Sequence, residues 1–182
     1  MDARPGRLSG LLLLTPPRVF GDERGFFVES YRENNWSELG LPRFVQDNQS
    51  RSRLGVLRGL HLNFSGGGQG KLVRCARGRI WDVAVDLRPS SPTFAQWEAY
   101  ELSDEDHRQL WIPPGFGHGF CTLSEVADVA YKLTTYYDDA SEFGVRWNDP
   151  QIGIRWPIAD PVLSKRDQTN PSLEEVRPKL PS

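Results

Sequence analysis

Short apolar runs, broken at regular intervals by turn-forming residues, constrain this chain more than any other feature. "RIWDVAVDL" (79–87) alternates strictly. Trp81, Val83, Val85 and Leu87 fall on one side of an extended chain, and Ile80, Asp82, Ala84 and Asp86 on the other. "GFFVESY", "KLVRCA", "WEAYELS", "QLWIP", "HGFCTLS" and "VADVAYKLTTYY" are further runs rich in aromatic and β-branched residues, which pack well on a pleated surface. Between them stand "GDERG", "ARG", "LRPSSPT", "SDEDH", "PPGFG" and "YDDAS". Their spacing is the roughly 8–12 residues of a β-sandwich or barrel. Residues 11–14 read as one more strand. Helix signals are confined to "RENNWSELG", stopped by Gly40, and to one turn in "PSLEEVRPKLPS" starting at Pro171 or Ser172. The expected fold is all-β, a jelly roll of about eight strands with short peripheral helices. One domain is expected over residues 1–182.

Charge excludes two classes of partner. Lys and Arg number 22 against 24 Asp and Glu, a net −2, which provides no electrostatic footprint for nucleic acid or a membrane surface. "LSGLLLL" (8–14) is far short of the roughly 18 apolar residues of a membrane span. It lacks the small-residue cleavage site of a signal peptide and runs straight into Pro16 and Pro17. Cys75 and Cys121 form no close Cys-x-x-Cys pair, so two buried free thiols in a reducing compartment are expected. These points together predict a cytoplasmic protein.

The stretch "RGLHLNFSGGGQGKLVR" (58–74) imitates a phosphate loop. Counted back from Gly70–Lys71, however, the first glycine of that motif falls on Ser65, and the hydroxyl residue after the lysine falls on Leu72. The three histidines bound the remaining chemistry. His107 sits in the polar turn "SDEDHRQ" and is expected in solvent. His61 ends the strand-like "GVLRGLHL", and His118 follows the tight turn "PPGFGHGF".

"PPGFGH" fits P-x-G-x-x-H, one of two motifs of the cupin superfamily of small β-barrels, and the chain resembles that superfamily. In the other motif Gly55 and His61 stand at the right spacing. Asn63 takes the place of the second histidine, and Lys71, ahead of Gly78, takes the place of the glutamate. A metal centre needs imidazoles and a carboxylate converging on the ion. A lysine there repels a cation and attracts a negative oxygen, so no metal is expected.

A closer resemblance runs in order from about residue 20 to 168 through "FGDERGFFVESY", "FVQDNQSRSRLGVLRGLH", "QGKLVRCARGRIWDVAVDLRPSSPTF", "RQLWIPPGFGHGF", "AYKLTTYY", "GVRWNDPQIGIRWP" and "LSKRDQ". These segments resemble the dTDP-4-dehydrorhamnose 3,5-epimerases. The resemblance implies cofactor-free inversion of C3 and C5 of dTDP-4-dehydro-6-deoxy-D-glucose, the carbons flanking its C4 ketone. It implies His61 as base, oriented by Asp167, Lys71 on the ketone or enolate oxygen, and Tyr131 as acid. It further implies substrate contacts from Arg24, Glu29, Gln46, Asn48, Arg58, His118, Glu142 and Arg166. Arg58 suits a diphosphate by its forked donors. Thymine stacking is expected from among Phe20, Phe27, Tyr136 and Tyr137.

A homodimer is also implied, with the N-terminal segment of about 8–30 exchanged so that Arg24 and Glu29 serve the neighbouring site. Leu62 and Asn63 after the base depart from the family's usual aromatic and Gln, and Arg166 stands where a lysine is usual, with Lys165 beside it. Asp82 is expected either inside the barrel near Lys71 or His61, or in solvent. Arg74 reads equally as a surface charge. Three alternatives remain at this stage: a mono-epimerase acting at C3 or C5 alone, a non-catalytic sugar-nucleotide-binding cupin, and a metal-dependent cupin.

Overall fold

The structure, a computed structural model, describes residues 2–16 and 18–180. Pro17 and the tip of the C-terminal tail, 181–182, lie outside the described residues. The strands are β1 (Asp2–Pro5), β2 (Leu12–Thr15), β3 (Val19–Asp22), β4 (Gly25–Val28), β5 (Gln46–Arg53), β6 (Leu57–Asn63), β7 (Lys71–Arg77), β8 (Arg79–Asp86), β9 (Trp97–Ser103), β10 (Gln109–Ile112), β11 (Phe116–Thr122), β12 (Val126–Leu133) and β13 (Glu142–Gly144). The helices are short: α1 (Glu33–Ser37), α2 (Lys165–Thr169) and α3 (Leu173–Val176). The expected helix in "RENNWSELG" is α1, and the expected tail turn is α3, capped by Ser172 in a reciprocal box with Glu175.

Six strands form one sheet in the order β1-β2-β10-β7-β12-β5, and five form a second in the order β13-β6-β11-β8-β9. Every pairing between these strands is antiparallel. The two sheets face each other as the jelly roll expected from the sequence, with short helices at the periphery. Strand number differs from the expectation: among the described residues, eleven strands in the two sheets and a separate β3–β4 hairpin replace about eight. The surplus consists of short edge strands and of β5. In β5 "QDNQSRSR" is polar on both faces, so it carries none of the apolar alternation that marks a strand.

Alternation along the strands builds three apolar layers. Between the sheets lie Val73, Cys75, Val129 and Ala127 from one side, and Ile80, Ala84, Leu102 and Phe120 from the other. The outer face of the five-stranded sheet presents Leu60, Leu62, Val83 and Val85 to Leu173, Val176 and Leu180 of the C-terminal segment. The outer face of the six-stranded sheet presents Leu14, Leu72 and Trp111 to Trp36, Tyr31 and Phe44. Strand β8 is therefore covered on both faces, and its inward-facing Asp82 and Asp86 are fully buried. Both thiols are free and buried, and burial pushes them up to about 12 for Cys75 and about 11 for Cys121. Among the described residues no helix is long and apolar enough to cross a membrane.

The β3–β4 hairpin stands off the body with Phe20, Phe26 and Phe27 exposed. The ring of His107 lies 4.5 Å from that of Phe26. His107 thus departs from its expected place in solvent. Its backbone turns left-handed (φ 54°), which carries the half-buried imidazole onto the hairpin.

Strands β6 and β11 approach unusually closely at Gly59. A Cβ there would lie 2.6 Å from Gly119 Cα and 2.9 Å from His118 O, and Gly59 has φ +134°. The approach aligns His61 directly opposite His118. Replacement Gly59→Ala is expected to destabilise the fold by about 3 kcal/mol or more through backbone displacement and strain. Urea denaturation of the variant against the parent chain checks this.

Candidate active site

The space between the sheets divides lengthwise. In β7 the inward row reads Cys75, Val73, Lys71, and in β12 it reads Ala127, Val129, Tyr131, Leu133; Val73, Cys75, Ala127 and Val129 join the core, and Lys71, Tyr131 and Leu133 open onto a cavity. The cavity has a volume of about 460 Å³. Its six-stranded wall carries Gln46, Asn48, Ser50, Lys71 and Tyr131, and its five-stranded wall carries Arg58, His61, His118, Phe120 and Glu142. Strand β5 is polar inward because its inward row, Gln46, Asn48 and Ser50, lines this cavity rather than the core.

His61 Nε2 lies 2.6 Å from Asp167 Oδ1. Gly144, the strand partner of His61 on β13, creates the space for this contact. A Cβ on Gly144 would sit 2.1 Å from Asn170 Oδ1, so only glycine lets the segment carrying α2 close over the edge of the sheet. Asn170 Nδ2 then donates to Asp167 Oδ1 at 3.3 Å, and Ser164 Oγ donates to Asp167 Oδ2 at 2.9 Å. Burial pushes the Asp167 carboxyl up, but hydrogen bonds from His61, Ser164 and the Gly59 backbone outweigh it and hold the group below its ordinary value. An ionised Asp167 keeps the imidazole proton on Nε2 and leaves Nδ1 as the free lone pair. The ring is largely shielded, with a quarter of its side chain exposed.

Lys71 is the buried cation of the site. Its Nζ donates to His61 O at 3.4 Å, and only 9% of the residue is exposed. Burial lowers its pKa to about 8, against the opposing pull of Glu142 and Asp82. Asp82 is inside the barrel, as one of its two expected placements had it: its Oδ2 lies 2.9 Å from His118 Nε2. Glu142 is a hub. It accepts from the hydroxyl of Tyr137 at 2.8 Å and from Arg166 Nη1. Burial pushes its carboxyl up, but Arg166, Tyr137 and His61 together keep it below its ordinary value. Arg58 Nε donates to Ser52 Oγ at 3.0 Å, and Gln46 Nε2 donates to Asn48 Oδ1 at 3.0 Å.

The fold thus gathers His61, Lys71, Tyr131, Asp167, Gln46, Asn48, Arg58, His118 and Glu142 at one cavity, with Arg166 reaching it through Glu142. Arg24 and Glu29 are elsewhere in this chain. Arg24 pairs with Asp22 on the exposed hairpin, and Glu29 with Arg32 and Asn35. Phe20 and Phe27 share the hairpin, whereas Tyr137 lines the cavity. Arg74 lies outside it, in a depression of about 340 Å³ on the other face of the six-stranded sheet. Gln69, Ser50, Ser164 and Asn170 were not singled out from the sequence. Ser164 had a signal, since Ser-x-x-Asp is a helix-capping spacing; Gln69 and Asn170 act through loop geometry that no local pattern encodes. Among the described residues no group of three or more His, Cys, Asp or Glu could hold a metal ion.

The lowered pKa of Lys71 has a stability signature. Between about 8 and the ordinary 10.5 the folded chain binds fewer protons at this group than the unfolded chain, so stability rises with pH across that window. Below it the full cost of the buried charge remains. Lys71→Met is expected to gain on the order of 3 kcal/mol at neutral pH relative to the parent. That advantage should fade as pH climbs from about 8 towards 10.5, as read from urea denaturation across pH.

Comparison with known proteins agrees with this geometry. Residues 6–175 match the family model described as dTDP-4-dehydrorhamnose 3,5-epimerase. A dTDP-4-dehydrorhamnose 3,5-epimerase from Salmonella typhimurium is 54% identical over 168 residues, covering 91% of this chain and 92% of the relative. A dTDP-4-dehydrorhamnose 3-epimerase from Streptomyces niveus is 41% identical over 179 residues, covering 97% and 86%. The crystal structure of a 3,5-epimerase from Legionella pneumophila in complex with dTDP-4-keto-L-rhamnose superposes with a TM-score of 0.93 at 47% identity, covering 98% of this chain and 96% of that one. The chain belongs to the dTDP-4-dehydrorhamnose 3,5-epimerase family.

Proposed function

We propose that the protein inverts C3 and C5 of dTDP-4-dehydro-6-deoxy-D-glucose to give dTDP-4-dehydro-L-rhamnose. One observation carries this reading: the His61–Asp167 pair and Tyr131 stand on opposite walls of a cavity that also holds the buried cation Lys71. A proton α to a ketone is acidic only if the enolate oxygen is stabilised. Nδ1 of His61 takes that proton, and the electron pair moves onto the C4 oxygen. The Lys71 ammonium holds the developing charge in a largely dry site, where it acts most strongly. Tyr131 returns a proton from the other wall, so the carbon inverts; once His61 has released its proton to water and Tyr131 has taken one up, the same steps serve the second carbon.

Arg58 and His118 face the diphosphate, Gln46, Asn48, Glu142 and Arg166 hold the remaining polar groups, and the Tyr137 ring stacks on thymine. The exposed aromatics of the hairpin are covered by a second copy of the chain, which receives Arg24 and Glu29 at its own site. Two buried thiols without a disulfide suit a reducing cytoplasm.

The 3-epimerase from Streptomyces niveus supports a second reading, inversion at C3 alone. Turnover in deuterated water separates the two: label at both C3 and C5 is expected, and label confined to one carbon would sink the double inversion. His61→Asn is expected to lower kcat/KM by roughly a thousandfold. Activity of the parent enzyme should fall as pH rises through about 8, because Lys71 loses its proton there. Subunit exchange tests the dimer. Mixing inactive His61→Asn with impaired Arg24→Ala chains should restore activity, since one of the two sites then holds both parent residues. No recovery on mixing would place Arg24 outside the neighbour's site.

A further inference from the structure

The mouth of the cavity is framed by two loops far apart in sequence: 64–70, which follows β6, and 134–141, which follows β12. Asn63 holds them together. Its Nδ2 donates to Asp138 O at 2.8 Å, and its Oδ1 accepts from Ser65 N at 2.8 Å. Its main-chain oxygen accepts from Gln69 N at 2.9 Å. Only 4% of the residue is exposed, so a lost partner leaves a buried polar group unpaired. The loops meet again where Gln69 Nε2 donates to Thr135 O at 3.3 Å and Gly70 N donates to Thr134 Oγ1 at 2.8 Å.

Asp138 follows Tyr137 directly, so fixing one carbonyl fixes the ring beside it. Tyr137 N also donates to Gln46 Oε1 at 2.8 Å, and the hydroxyl reaches Glu142. Tyr137 remains 46% exposed at the mouth, available to a flat partner. Asn63 itself faces Glu142 across β6 and β13. We infer that Asn63 is a positioning residue for the nucleotide end of the substrate: by pinning Asp138 it sets the place of Tyr137 and hence the grip on the base. This rests on the proposed nucleotide-sugar substrate. Asparagine suits the task because one side chain supplies both the donor for Asp138 and the acceptor for Ser65. Aspartate keeps the acceptor and presents a second oxygen to the Asp138 carbonyl.

Calorimetric titration of dTDP into the parent enzyme, Asn63→Ala, Asn63→Asp and Asn63→Gln tests this, together with kcat, KM and thermal midpoints. Asn63→Ala is expected to weaken dTDP roughly tenfold and raise KM in step, with kcat within about twofold of the parent. Asn63→Asp should lose as much although it keeps the Ser65 contact, and Asn63→Gln should recover part of the affinity. If Asn63→Ala does not fold, Asn63→Asp decides. A lower thermal midpoint with unchanged dTDP affinity and KM would make Asn63 merely structural and overturn the inference, as would a loss confined to kcat. Failure of the parent enzyme to bind dTDP would instead remove the substrate reading and this inference with it.

Discussion

One hydrogen bond, from His61 on β6 to Asp167 on α2, ties together most of what surrounds it. It joins residues 106 positions apart at 2.6 Å. For it to form, β13 must carry glycine at 144, Ser164 must cap α2, and the segment after α2 must lie down on the outer face of the five-stranded sheet. The apolar contacts of Leu173, Val176 and Leu180 with Leu60, Leu62 and Val83 hold that segment in place. The burial of a few aliphatic side chains thereby fixes the proton on one nitrogen of one imidazole. Loosening this outer layer would free the carboxylate before the two sheets themselves came apart.

The second organising feature is the division of the inter-sheet space. A closed apolar core and an open polar cavity occupy the same barrel, and the boundary runs along single strands, between Val73 and Lys71 and between Val129 and Tyr131. The core excludes water from one side of Lys71, which depresses its pKa and strengthens its field on an approaching oxygen. The cost is a buried cation. Asp82 and Glu142 nearby temper that cost without abolishing it.

How far the sequence reveals this depends on what each residue faces. Strand β8 was legible because each of its faces meets an apolar layer. Strand β5 was not, because its inward face lines the cavity and its outward face meets solvent, so the hydrophobic signal vanishes where the site begins. His61, Lys71, Tyr131 and Asp167 could be named together only through the resemblance of long ungapped segments; spacing alone gives no reason to join residues 61 and 167. Asn170 and Gln69 escaped because their placement depends on chain crossings at Gly144 and the glycine loop. The environment of His107 was misjudged for a related reason: a polar turn reads as solvated, but its left-handed backbone aims the ring at an aromatic neighbour.

The two cysteines have a practical consequence. Thiol chemistry runs through the thiolate, and both Cys75 and Cys121 are buried and pushed far above neutral pH. The chain holds no other cysteine. A single thiol introduced on the exposed hairpin would therefore be the only fast-reacting one in the molecule. A maleimide probe could be attached there without first removing either native residue, giving a direct spectroscopic view of where the hairpin lies in solution.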